Sequence, residues 1–194
     1  MVHTKSCVCL QGSFEHFPCR HGRCINGVVY YEAWLKPDCT QRFVMSFHVR
    51  SEKFNMIKVS WRGPRGLLLA YQGKLAYHRS SHHDAFISLW VLEDAERHEW
   101  SFKHFSLPFP LKDPISKTTL CLGSVTDAGE FIYVPQNLLG PFHALYFDPK
   151  TNTVRRVIYQ GVADDEFRRR HGLGNKTLEG LHIFPDHIES LLSM

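Results

Sequence analysis

Three glycines, Gly27, Gly73 and Gly129, each stand four residues before a tyrosine: Tyr31, Tyr77 and Tyr133. An aromatic pair at the same spacing follows each time: Phe43 with Phe47, Phe86 with Trp90, Phe142 with Tyr146. A polar turn then leads into a further apolar run: FNMIKV at 54–59, WSFKHF at 100–105 and VRRVIY at 154–159. A pattern that recurs at a step of roughly 50 residues means one supersecondary unit used repeatedly, and this limits the fold more than any single motif does.

The runs inside each copy are short and rich in Val, Ile, Phe, Tyr and Trp, side chains that fit a pleated, half-buried surface. A preceding run completes each copy: RCI (23–25), LLLAY (67–71) and TLCLGSV (119–125). Asn26-Gly27 and Gln72-Gly73 fall between paired runs, and Asn-Gly is the strongest short hairpin signal. Each copy therefore reads as strand a, tight turn, strand b, longer loop, strand c, turn, strand d. The fold expected is all-β: antiparallel four-stranded blade repeats, a partial or open β-propeller-like stack with a short C-terminal helix and strand. A repeating antiparallel sandwich is the alternative. Three blades are too few for a closed ring, which takes roughly four to eight, so exposed edge strands are expected. Tyr31, Tyr77 and Tyr133 are expected at equivalent strand positions, as are Phe47, Trp90 and Tyr146.

The 194 residues suit one domain with a real core. The net charge of +4 is spread among mixed signs, which gives no case for a nucleic-acid or membrane surface. No stretch reaches a transmembrane length and no leader is recognisable, so the cytoplasm and/or nucleus is expected. There the six cysteines are expected as free thiols. Residues 1–22 form a poorly defined N-terminal segment, and the propeller-like domain is expected over 23–194. Cys7, Cys9, Cys19, His21 and Cys24 invite a zinc reading, but neither cysteine pair has a standard knuckle spacing. The loop with His78, Arg79, His82, His83 and Asp84 invites a metal, but reads better as a polar loop of a His-rich chain. No metal and no cofactor is therefore expected.

After the third copy, ADDEFRRRHG (163–172) runs from acids to bases to a closing glycine, the order of a short helix whose charges oppose its dipole. LEGLHIF (178–184) reads as one more strand, and PDHIESLLSM as a helical turn or a docked extended segment. No nucleophile elbow, phosphate loop or metalloprotease motif is present. Asp164, Asp165 and Glu166 are neighbours in sequence rather than facing carboxylates from separate elements. The chain is expected not to be an enzyme, a propeller-type hydrolase being the weaker alternative.

The string CINGVVYYEAW (24–34) resembles the corresponding segment of plant F-box associated domains. FVMSFHVRSEKFNMIKV (43–59), LLLAYQGKLAY (67–77), LWVLEDAERHEWS (89–101) and HIFPDHIESLLSM (182–194) follow in register, so the resemblance covers about residues 19–194. It implies a kelch- or propeller-like domain that recruits target proteins to an SCF-type ubiquitin ligase. In such proteins an N-terminal F-box docks on the Skp adaptor and so reaches the cullin complex. No F-box-like leucine- and proline-marked helical start lies between Met1 and Ile25. The resemblance therefore carries over only the recognition half: an unknown target protein is the expected partner, and the adaptor only where an F-box is supplied elsewhere. A stand-alone interaction module or a truncated remnant unlinked to a ligase is the alternative.

In an up-and-down blade the a–b and c–d turns share one end of the sheet and the b–c loops and inter-blade linkers share the other. The second end collects the longer segments here, with Trp34, Trp61, Arg62, Arg65, His82, His83 and Phe109. Trp and Arg are frequent anchors of protein interfaces, and loops on a rigid scaffold are where binding resides. These residues are the candidate partner-binding set. The competing expectation is that the tryptophans pack under their own loops.

Overall fold

A computed structural model describes residues 16–19, 22–35, 42–59, 66–79, 86–114, 117–179, 183 and 185. The strands in chain order are β1 His16–Pro18, β2 Arg23–Ile25, β3 Val28–Leu35, β4 Arg42–His48, β5 Lys53–Lys58, β6 Leu67–Tyr71, β7 Lys74–His78 and β8 Phe86–Asp94. Then come β9 Glu99–Ser106, β10 Leu120–Val125, β11 Phe131–Pro135, β12 Asn137–Leu138, β13 His143–Asp148, β14 Thr153–Ile158 and β15 Leu178–Glu179. The helix α1, Asp165–Arg170, lies between β14 and β15. Three sheets follow the expected a-b-c-d order: β2-β3-β4-β5, β6-β7-β8-β9 and β10-β11-β13-β14. The fold is all-β, built of repeated four-stranded antiparallel blades. By contact density the chain divides into two units, Met1–Tyr77 with Trp90–Phe102, and His78–Leu89 with Lys103–Met194.

In the first unit, both strand-a hairpins turn as read. Asn26 and Gly27 have φ of 49° and 75°, and Gln72 and Gly73 have 51° and 73°. Two successive positive φ values are what a two-residue hairpin needs to match the strand twist. The two hairpins are tied together: Asn26 Nδ2 donates to the Gly73 carbonyl at 3.3 Å, and Arg23 Nε to the Leu68 carbonyl at 3.0 Å. The first sheet also takes in residues upstream of Arg23. β1 pairs with Ala33–Leu35 of β3, beyond the stretch that β2 pairs with, so strand a is long and broken rather than short. Gly22, at the break, is pressed on the Tyr30 carbonyl: a Cβ there would stand 2.8 Å from that oxygen. The core joins Ile25, Val44 and Ile57 to Leu68, Leu75, Tyr77 and Leu92, with Tyr30, Trp90 and Trp100 packed on it.

In the second unit, the last sheet has a wider a–b turn. Val125 pairs with Phe131, so residues 126–130 form the loop, closed by Thr126 N–H to the Glu130 carbonyl at 2.9 Å. The register of β10 shifts between Leu122 and Ser124, a bulge at Gly123. One side of this sheet gathers Ile132, Val134 and Ala144 under Phe142, Tyr146, Tyr159 and Ile183. On the other side, Phe131, Tyr133 and Phe147 carry the rings of Phe105 and Phe109. The helix forms where expected. Asp164 caps it by accepting from Phe167 N–H at 2.9 Å, and these backbone donors hold its carboxyl below the usual range. Of the strand expected over 178–184, Leu178–Glu179 forms a strand paired with β12, and Ile183 is described outside any strand.

The aromatic repeat needs one correction. Tyr31 lies opposite Met45 and Tyr133 opposite Leu145, each three residues before the end of strand c, so these tyrosines are equivalent. Phe47 lies opposite Val29, whereas Tyr146 lies opposite Ile132; the counterpart of Phe47 is Phe147, opposite Phe131. The slip comes from counting from the preceding phenylalanine. Phe43 is inside β4 and pairs with Ala33, but Phe142 precedes β13.

Candidate functional site

The proline-rich linker SLPFPLKDPISK (106–117) brings a charge to the last sheet. Lys112 bridges to Thr119, and Leu120 N–H donates to the Leu111 carbonyl at 2.7 Å. Asp113 N–H donates to Thr118 at 2.9 Å, and Lys117 N–H to the Asp113 carbonyl at 2.8 Å. This tight loop buries Asp113 completely. Its carboxylate receives the Arg156 guanidinium, with Nη1 at 3.5 Å and Nη2 closer on the other oxygen. His143 Nε2 stands 3.2 Å from Asp113 Oδ2, within ion-pair distance, but without a hydrogen-bond partner among the described residues. A buried carboxylate without a counter-charge costs several kcal/mol. Arg156 supplies that charge while keeping its own side chain 25% exposed.

Above this group lies a cleft of about 470 Å³, lined by Thr118, Asn137–Pro141, His143, Arg156 and Ile158. Its rim is aliphatic and open. Leu139 is 61% and Ile158 62% exposed, the highest values among the large exposed apolar side chains described. The wall is held from behind by Arg168. This side chain is buried and donates to four backbone carbonyls: Ala163 at 3.0 Å, Gly174 at 3.1 Å, Lys176 at 2.8 Å and Leu138 at 2.8 Å. The five donors of a planar fork can serve four carbonyls at once, more than the three N–H groups of a lysine can. The β12–β15 pair fixes the same segment from the side, Leu138 lying opposite Leu178.

The sequence-derived candidates fall differently. Trp34, in the first unit, is half-buried on β3 opposite Phe17 and Arg42, and the Arg42 guanidinium lies 5.1 Å from its ring centroid. Arg42 also reaches buried Glu32 at 3.4 Å. Phe109, in the second unit, sets its ring edge-on against Tyr133 and Phe147, at 5.3 Å and 6.2 Å, so it anchors its own linker. Trp61, Arg62, Arg65, His82 and His83 lie outside the described residues. His78 closes β7 and is buried, its Nδ1 3.1 Å from the Ser88 carbonyl; burial pushes its pKa down. Cys19, Cys24 and Cys121 are free thiols. No cluster of three or more His, Cys, Asp or Glu that could hold a metal occurs among the described residues. No helix among them is long and apolar enough to cross a membrane.

The repeated blades and the sequence pattern agree with one family model, the F-box associated beta propeller domain, which matches residues 4–188. The chain belongs to this F-box associated domain family. It is 45% identical to the putative F-box protein At1g47730 of Arabidopsis thaliana, an alignment covering 90% of this chain and 44% of that protein. It is 42% identical to the putative F-box protein At1g47790 of the same plant, covering 89% and 45%. The F-box protein At5g18160 is 35% identical, covering 93% and 46%. The chain thus spans less than half the length of the curated relatives it matches. Of this F-box associated domain, the aliphatic cleft is the part that sequence reasoning missed. Asp113, His143, Arg156 and Ile158 carry no local sequence signal.

Proposed function

We propose that this F-box associated domain recognises a target protein and recruits it for ubiquitin-dependent turnover by an SCF-type ligase, without chemistry of its own. The observation that carries the reading is the match of most of the chain to the F-box associated domain of proteins named for their F-box. The architecture supports it: paired strands hold irregular loops, and one loop end carries exposed aliphatic side chains where a monomer gains nothing by showing them. Contact with the Skp adaptor belongs in this scheme to an F-box, and target capture to the blades. The cytoplasm and nucleus are the compartments where such a ligase works.

The test is co-purification of the tagged chain from plant cells, followed by measurement of each partner's lifetime. A partner should bind the chain directly in purified form and accumulate when the chain and its F-box-containing relatives are depleted. If bound partners keep their lifetimes under depletion, recognition is not coupled to turnover. If purified chain holds no protein partner at all, the recognition reading fails.

A further inference from the structure

Among the described residues, the cleft of the second unit is the place where surface chemistry specifies an occupant. Its walls offer two kinds of contact. The rim shows aliphatic carbon, Leu139 and Ile158, both more than 60% exposed. The base shows donors. Asp113, the carboxylate at the base, is fully buried and turned onto Arg156. Arg156 remains 25% exposed, and Asp113 occupies only part of its donor fork. His143 lines the same cleft, but its Nε2 is buried and stands 3.2 Å from Asp113 Oδ2. Thr118 and Asn137 add polar groups. Among the described lining residues, a visiting cation would meet a guanidinium with no exposed acid to offset it. A visiting carboxylate would meet the unfilled donors of Arg156, and charge-assisted bonds to a guanidinium are among the stronger polar contacts.

We propose that this cleft binds a short peptide segment of a target protein, an aliphatic residue seated between Leu139 and Ile158 and an adjacent Asp or Glu turned to Arg156. The proposal rests on the recognition reading above and names the chemistry of the recognised segment. A volume of about 470 Å³ holds a few side chains. The open rim suits a protein segment, since a small free acid at the base would leave Leu139 and Ile158 in water. The cleft is also preorganised: Arg168 holds the Leu138 carbonyl, and the loop at Asp113 is closed by backbone bonds. Less ordering then remains to be done on binding.

The test uses the full chain immobilised against a display library of random peptides, followed by fluorescence anisotropy of the enriched peptide. Enrichment of Leu, Ile, Val or Met within two positions of Asp or Glu is expected. Leu139→Asp and Ile158→Asp, at exposed positions outside the core, should each weaken binding at least about tenfold. Val154→Asp, on the same strand but outside the cleft lining, should change it less than about twofold. Replacing the peptide's acid by its amide should weaken binding to the native chain and much less to Arg156→Gln. Because Arg156→Gln also disturbs Asp113, the acid-to-amide comparison on the native chain stands as the independent measurement. Enrichment of Lys or Arg, no enrichment, or indifference to Leu139→Asp and Ile158→Asp overturns the proposal. So does a concentration-dependent dimer abolished by those two variants, which would give the cleft to a second copy. If partners co-purified from plant cells survive both variants, the cleft assignment falls and the recognition reading stands. If the native chain captures none, the recognition reading itself falls.

Discussion

The first sheet and the last give the same register different contents. Opposite the second-last residue of strand c stands Val29 in the first and Phe131 in the last. Val29 is half-buried beside the Phe47–Phe54 ring pair, whereas Phe131 is fully buried under Phe105 and Phe147. At their loop ends the contrast is sharper. Among the described residues, the first sheet closes with the ion pair of Arg42 with Glu32, under the Trp34 ring. The last closes with buried Asp113 under Arg156 and with Arg168 on four carbonyls. A hydrogen-bond ladder common to both sheets thus tolerates different packing, while polar groups with directional demands set where a particular loop lies.

The largest effect should separate the two sheets at one register position. Phe131→Ala should cost about 3–5 kcal/mol in denaturant unfolding, and Val29→Ala about 1 kcal/mol. Equal losses would show that the two positions are packed alike. Asp113→Ala comes next, at about 3 kcal/mol, near the low end for a broken buried pair because Arg156 can turn to water. Hydrogen exchange should then rise over 106–119 and 137–141 and stay unchanged in the first sheet. Arg168→Lys keeps the charge but not the fork, and should cost about 2 kcal/mol, since carbonyls are left unsatisfied. Exchange at Leu138 and Lys176 amides reports it.

Asn26→Ala should cost about 1 kcal/mol, the penalty of alanine at a φ of 49°. The smallest effect is alkaline. Burial first, and then the Tyr159 hydroxyl 2.6 Å away, push the Tyr146 pKa up to about 12. Its folded value exceeds the unfolded value of about 10. The stabilisation is therefore full below about pH 10 and is lost as pH rises towards about 12. Tyr146→Phe should flatten the stability profile in that window, read by thermal unfolding against pH. An unchanged slope would place the alkaline sensitivity at other tyrosines.

What the sequence disclosed was local. Asn26-Gly27 and Gln72-Gly73 name their hairpins through the φ values they tolerate, and the acid-to-base order of 163–172 names the helix. What it concealed was distant. Asp113 sits among prolines with nothing to mark it, and its partner Arg156 lies 43 residues on. Arg168 was legible as a favourable charge at a helix end, but its burial depends on carbonyls of Leu138 and Lys176 that no side-chain pattern encodes. Phe109 had the look of an interface anchor because a phenylalanine between prolines carries no periodicity; its place against Tyr133 required the folded linker. The Phe47–Tyr146 alignment slipped because the repeat was counted from side chains, while the ladder is counted from paired backbone.

The bulge in β10 has an evolutionary consequence. At Gly123 a Cβ would stand 3.2 Å from Ile183 Cδ1 and 3.4 Å from Val134 Cγ2. Two sites far apart in the chain thus share one small volume. Within the family, a side chain larger than hydrogen at the position of Gly123 should be accompanied by a shorter one at the position of Ile183. Sequences that break this covariation should be those whose C-terminal arm takes another course.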